Sequence, residues 1–101
     1  MPAEQSVDAL AFLEDLTGGP LTFASNLRAI RQGEELSLAE FAKLLGVSRQ
    51  HLHDVEHGRK AVSVERAAAW AKLLGYSEKQ FVRLALQAEL ERAGLDYKVT
   101  L

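Results

Sequence analysis

A chain of 101 residues, 48% of them hydrophobic, with two prolines and seven glycines, has the make-up of one small domain around a single core. Twelve basic residues against fourteen acidic ones give a formal charge of −2, which excludes a chain that grips polyanions by bulk charge alone, and the absence of cysteine excludes disulfides and thiolate metal sites. No apolar stretch reaches membrane-spanning length and no basic region leads into an apolar run at the start, so a cytoplasmic protein without membrane contact is expected.

Residues 7–16 carry Val7, Leu10, Phe12, Leu13 and Leu16 on a broad apolar face with Asp8, Glu14 and Asp15 at its rim, the pattern of a helix. The T-G-G-P string at 17–20 breaks it. A second helix is expected after Thr22, burying Phe23, Leu27 and Ile30 and ending before Leu36. Ser37 followed three residues later by Glu40 forms a capping box, and Leu38, Phe41, Ala42, Leu44 and Leu45 then recur at helical spacing. Gly46 can adopt the left-handed conformation of a sharp reversal, which leaves Ser48 free to cap another short helix. In that helix Leu52 and Val55 face inward, whereas Arg49, Gln50, His51, His53, Asp54 and His57 remain outside. Ala42 is small enough for two helices to cross closely, over a shared core of Phe41, Leu45, Val47, Leu52 and Val55.

Ser63 caps a further helix reaching about Leu74, with Val64, Ala67, Ala68 or Ala71, Trp70 and Leu74 inward and Gly75 as its stop. Ser77 opens the last and longest helix, with Glu78 well placed in its first turn, Phe81, Leu84, Ala85, Ala88 and Leu90 inward, and Gly94 as terminator. The period then changes. Leu95, Tyr97, Val99 and Leu101 alternate with Asp96, Lys98 and Thr100, as in a strand with one buried face. A lone strand cannot satisfy its own backbone, so pairing with the same segment of a second subunit is one expectation, and a merely packed or disordered tail is the other. The expected division is a helical extension at 1–21, a helical domain at 22–94 and the strand-like tail at 95–101.

The two short helices of residues 37–58, S-L-A-E-F-A-K-L-L-G-V-S-R-Q-H-L-H-D-V-E-H-G, form a helix-turn-helix pattern, and the segment resembles the lambda-repressor-like family of Cro/CI or Xre type. The likeness runs over about 22–81, taking in L-R-A-I-R before the motif, V-E-H-G-R-K at its end and S-V-E-R-A-A-A-W-A-K-L-L-G-Y-S beyond it. It implies an all-α, five-helix domain that binds double-stranded DNA; the residue patterns add an extra N-terminal helix and, in one of the two readings of the tail, a C-terminal strand used in dimerisation. Charge distribution allows this: the window 28–60 is +1 and the rest of the chain −3, so nonspecific affinity should be modest and its salt dependence small.

By that resemblance the second helix lies in the major groove, with Arg49, Gln50 and His51 in its first turn against base edges and Asp54 one turn on. Arg49 can pair with guanine and Gln50 with adenine, both bidentately, and Asp54 can accept from a cytosine amino group while repelling phosphate. Ser48 and the free N–H groups at the helix start are suited to a phosphate, as are Arg59 and Lys60, with Lys43 a weaker candidate. One family contact is missing, because the first helical position of the motif, often a phosphate-binding glutamine, is Leu38. Arg31 and Glu56 match a pair that in relatives is a structural ion pair.

His53 and His57 stand one turn apart, a spacing that can chelate zinc, but on the face expected to meet DNA or solvent and with no third ligand fixed by a motif, so no metal site is expected. Histidine changes charge near neutral pH, and DNA affinity should therefore rise as pH falls. No nucleophile, phosphate loop or paired carboxylate points to an enzyme or to a cofactor. Two functions fit. One is a dimeric repressor reading a palindromic operator. The other is an antitoxin that holds a protein toxin and regulates its own operon, for which the acidic first helix and the tail supply surfaces that DNA binding does not need.

Overall fold

The computed structural model describes residues 21–101, and among them the chain forms five helices: α1 Phe23–Gly33, α2 Leu38–Leu45, α3 Arg49–Glu56, α4 Val64–Leu74 and α5 Glu78–Arg92. The helix expected at 7–16 lies outside the described residues. Hydroxyl side chains cap the start of each of the five described helices. At α2 the box is reciprocal: Glu40 N–H donates to Ser37 Oγ at 3.1 Å, and Ser37 N–H donates to Glu40 Oε1 at 2.8 Å. Those bonds from Ser37 hold the Glu40 carboxyl below the usual carboxylate range.

Two helix ends show how the turns are made. Gly46 takes φ 76° after α2, and the chain closes by Val47 N–H donating to the Ala42 carbonyl at 3.0 Å, which reverses direction in time for Ser48 to cap α3. After α1 the same job falls to Glu35, at φ 56° the one non-glycine residue with positive φ among those described. Leu36 N–H reaches back to the Arg31 carbonyl, and the Arg31 guanidinium reaches forward to the Leu36 carbonyl, so the turn is tied from both sides and tolerates a side chain in an unfavourable region.

Packing follows from these reversals: α2 lies on α3, α4 runs along α5, and α1 touches both α3 and α5. Phe41, Leu45, Leu52 and Val55 are buried, and Val47 packs against them from a partly exposed position. Ala42 is only 2% exposed, consistent with a close crossing where a larger side chain would have to displace a helix. A second group joins α1, α4 and α5, with Phe23 edge-on to Phe81 at 5.7 Å and tilted toward Trp70 at 6.4 Å. The Trp70 indole N–H donates to the Leu45 carbonyl at 3.2 Å and so pins α4 to the end of α2. Of the α4 alternatives, Ala67 and Ala71 are buried; Ala68 and Val64 are only partly so, as are Ala88 and Leu90 on α5.

The structure bears on three further expectations. Leu44, in the apolar repeat of α2, is 48% exposed, because its neighbours Phe41 and Leu45 occupy the inward positions. Leu38, where a family phosphate contact is missing, packs against the core. The 95–101 segment forms no strand within this chain: it turns back at Gly94 and lies along α5, where the Gln87 amide donates to the Tyr97 carbonyl at 2.9 Å and accepts from the Val99 N–H at 2.8 Å. A side-chain amide takes the place that a neighbouring strand would fill. No helix among the described residues is long and apolar enough to cross a membrane.

Candidate nucleic-acid interface

The site is built on α3, whose first turn is held open by its cap. Ser48 accepts from His51 N–H at 3.0 Å, so one orphan N–H of the helix start is satisfied and the others face outward with the partial positive charge of the helix end. Arg49 and Gln50 are exposed and His51 is half-buried, with its Nε2 enclosed and without a partner. Lys43 on α2 and Arg59 and Lys60 after α3 are also exposed.

Asp54 gathers this surface. Gln50 Nε2 donates to its Oδ1 at 3.1 Å, Arg59 Nη1 stands 3.8 Å from the same oxygen, and His53 Nδ1 lies 3.7 Å away. Two side chains expected to meet DNA separately, Gln50 and Arg59, are therefore brought to one carboxylate, itself only 18% exposed. His53 and His57 stack with ring centroids 4.1 Å apart. His57 Nδ1 is 2.7 Å from the His53 carbonyl, which can only accept, so that nitrogen carries the proton and its lone pair is not available to a metal. No group of three or more His, Cys, Asp or Glu side chains is gathered for a metal among the described residues.

The far end of α3 is fixed by arginines from two other helices. Arg31 of α1 donates through Nε and Nη2 to the two Glu56 oxygens at 2.9 and 3.1 Å, a bidentate pair in which the Glu56 side chain is 2% exposed. Arg28, one turn earlier on α1, donates to the Glu56 carbonyl at 3.2 Å, and Arg92 of α5 donates to the Gly58 carbonyl at 3.2 Å. These carbonyls belong to the last turn of the helix and the residues just after it, where orphan acceptors and partial negative charge collect. Reading the sequence pairs Arg31 with Glu56 but leaves Arg28 and Arg92 without roles. Arg28 was within reach, since it sits three residues before Arg31 on the same helical face; Arg92 carries no local signal, because α5 meets the loop only through the fold.

The arrangement can therefore present a short, polar helix end to a groove while holding the opposite end still. Comparison with known proteins agrees with that geometry. A family profile described as Helix-turn-helix matches residues 27–81. The crystal structure of the clp gene regulator ClgR from Corynebacterium glutamicum is similar at 32% identity, with a TM-score of 0.53 over 71% of this chain and 78% of that one. Among curated proteins no match was found. With more than half of the chain matched and the turn, caps and core of the motif in place, the protein belongs to the lambda-repressor-like, Xre-type helix-turn-helix family.

Proposed function

We propose that the protein is a DNA-binding transcriptional regulator, working as a dimeric repressor that reads a palindromic operator through α3. The observation that carries this reading is the exposed first turn of α3, Arg49 and Gln50 above a buried Leu52 and Val55, on a helix anchored at its other end. In this reading Arg49 pairs with guanine and Gln50 with adenine, and His51 flanks them. Asp54 keeps Gln50 and Arg59 in place before binding and offers its second oxygen to a cytosine amino group. Ser48, Arg59, Lys60 and, less strongly, Lys43 meet phosphates and set the register. The name of the structural neighbour, a gene regulator, supports the same role.

Gel-shift on the protein's own promoter region at two salt concentrations tests it. The expected result is a discrete complex that competitor DNA of random sequence does not displace, with affinity falling only modestly as salt rises, because few phosphates are neutralised. Equal affinity for promoter and random DNA at both salts would overturn it. A second reading, an antitoxin holding a protein toxin, draws on the exposed Leu95, Tyr97 and Leu101, an apolar surface for which DNA has no use. Untagged purification from the native host separates the two: a stoichiometric protein partner favours the antitoxin.

A further inference from the structure

We infer that residues 95–101 are the dimer contact, an open strand edge that pairs antiparallel with the same segment of a second copy about a two-fold axis at Tyr97. This rests on the dimeric reading above and supplies the interface that reading lacks. The Tyr97 carbonyl and the Val99 N–H both point at Gln87, as alternate residues of an extended chain do, so the main-chain groups of Asp96, Lys98 and Thr100 point the other way. Among the described residues those groups have no hydrogen-bond partner. Gln87 thus covers one edge and holds the segment extended while the second edge stays open. The side chains tell the same story. Leu95, Tyr97 and Leu101 are 46%, 67% and 57% exposed, an apolar stripe on a segment that its own domain tethers but does not cover.

Charge selects the occupant and the register. On the open edge Asp96, Lys98 and Thr100 are the hydrogen-bonding positions, so the charged residues allow a two-fold axis at 96, 97 or 98, while an axis at Val99 sets Lys98 across from the uncharged Thr100 and makes no ion pair. An axis at Asp96 sets two aspartates face to face, and an axis at Lys98 sets two lysines face to face, each unfavourable. An axis at Tyr97 places Asp96 of one copy across from Lys98 of the other, twice, and closes about four main-chain hydrogen bonds between them. In the same register Tyr97 meets Tyr97 and Leu95 meets Val99, at the non-hydrogen-bonded positions where side chains approach most closely. The segment is its own complement. Its ribbon does not stand alone, since each strand is fastened to α5, which lifts it above the marginal stability of an isolated two-stranded pair.

The absence of native cysteine gives a clean test in the full chain. Paired residues at a two-fold axis of this kind have Cα atoms about 4.5 Å apart, within disulfide range. Tyr97→Cys is therefore expected to form a disulfide-linked dimer under mild oxidation. Asp96→Cys or Lys98→Cys alone should link poorly, and a mixture of the two should link well. In sedimentation, Asp96→Lys or Lys98→Asp should weaken the dimer roughly three- to thirtyfold, and the double reversal, which restores the opposite charges, should recover it. A wild-type dimer with an unlinked Tyr97→Cys variant and unmoved charge reversals would overturn the ribbon and leave the dimeric reading intact. A wild-type monomer at concentrations that saturate the operator would overturn both.

Discussion

At the start of α3, Arg49 and Gln50 stand in solvent and are restrained by little more than the Ser48 cap and one bond to Asp54, whereas at its end Glu56 is 3% exposed, Arg31 holds its carboxylate, and Arg28 and Arg92 hold the carbonyls of Glu56 and Gly58. The helix is eight residues long, too short to be stable by itself, so its direction has to be imposed by tertiary contacts. Fastening the C-terminal end fixes that direction without using up donors at the N-terminal end, which the proposed function assigns to base reading. The exposed side chains can then exchange solvent, or Asp54, for base edges without disturbing the core.

The largest way to break this division is to cut the buried pair. Arg31→Ala leaves the Glu56 carboxylate charged and enclosed with no counter-ion, and should lower the stability of the whole domain by about 3 to 5 kcal/mol. Replacing both residues by methionine should recover most of that loss, since the cost lies in an unmatched buried charge. Urea unfolding followed by helical circular dichroism measures both. A single variant within about 1 kcal/mol of wild type would mean that water reaches Glu56 and that the end of α3 is not held by this pair.

At the reading end the expectation is reversed. Arg49→Ala and Gln50→Ala remove exposed side chains and should leave stability almost untouched, yet each should weaken operator binding by about 1 to 3 kcal/mol and relax preference at one base pair. Binding to a set of single-base operator variants measures it. If either variant weakens promoter and random DNA equally, that residue is a phosphate contact and does not make the proposed base readout. Asp54→Asn adds a finer test, because it keeps the acceptor for Gln50 but removes the charge beside Arg59 and near phosphate; nonspecific affinity should rise while discrimination falls.

Legibility in the sequence follows the same division. The helices could be read because each begins at a hydroxyl residue and their stops are local events, and the core of α2 and α3 could be read because Phe41, Leu45, Leu52 and Val55 keep helical spacing. Glu35 could not be foreseen as the residue with positive φ, since what holds it there is Arg31 acting across the turn. Nor could the approach of Arg59 to Asp54, which depends on how the chain leaves α3 at Gly58, whereas the Gln50–Asp54 bond joins residues one helical turn apart. The alternation at 95–101 was legible as a pattern, but its tethering along α5 was not. Gln87, eight residues before the pattern begins, decides which edge stays open.

Arg92 gives the smallest effect and the most discriminating one, because it joins the two regions that the fold keeps apart. It lies at the end of α5, the helix that carries Gln87, and its Nη2 reaches the Gly58 carbonyl immediately before the two basic residues Arg59 and Lys60. That bond is exposed, so Arg92→Ala should cost no more than about 0.5 to 1.5 kcal/mol of stability. Its larger effect should fall on the loop: if Arg59 and Lys60 meet phosphates as proposed, promoter and random DNA should both bind several-fold more weakly, with base preference unchanged, because phosphate contacts position the protein and do not choose the sequence. Arg92→Lys separates the two ways this can happen. If Arg92 acts only as positive charge near the backbone of DNA, lysine restores binding; if it acts by holding the Gly58 carbonyl through its guanidinium, lysine restores charge but not affinity. The second outcome is expected, and a full rescue by lysine would reduce the clamp on α3 to the arginines of α1.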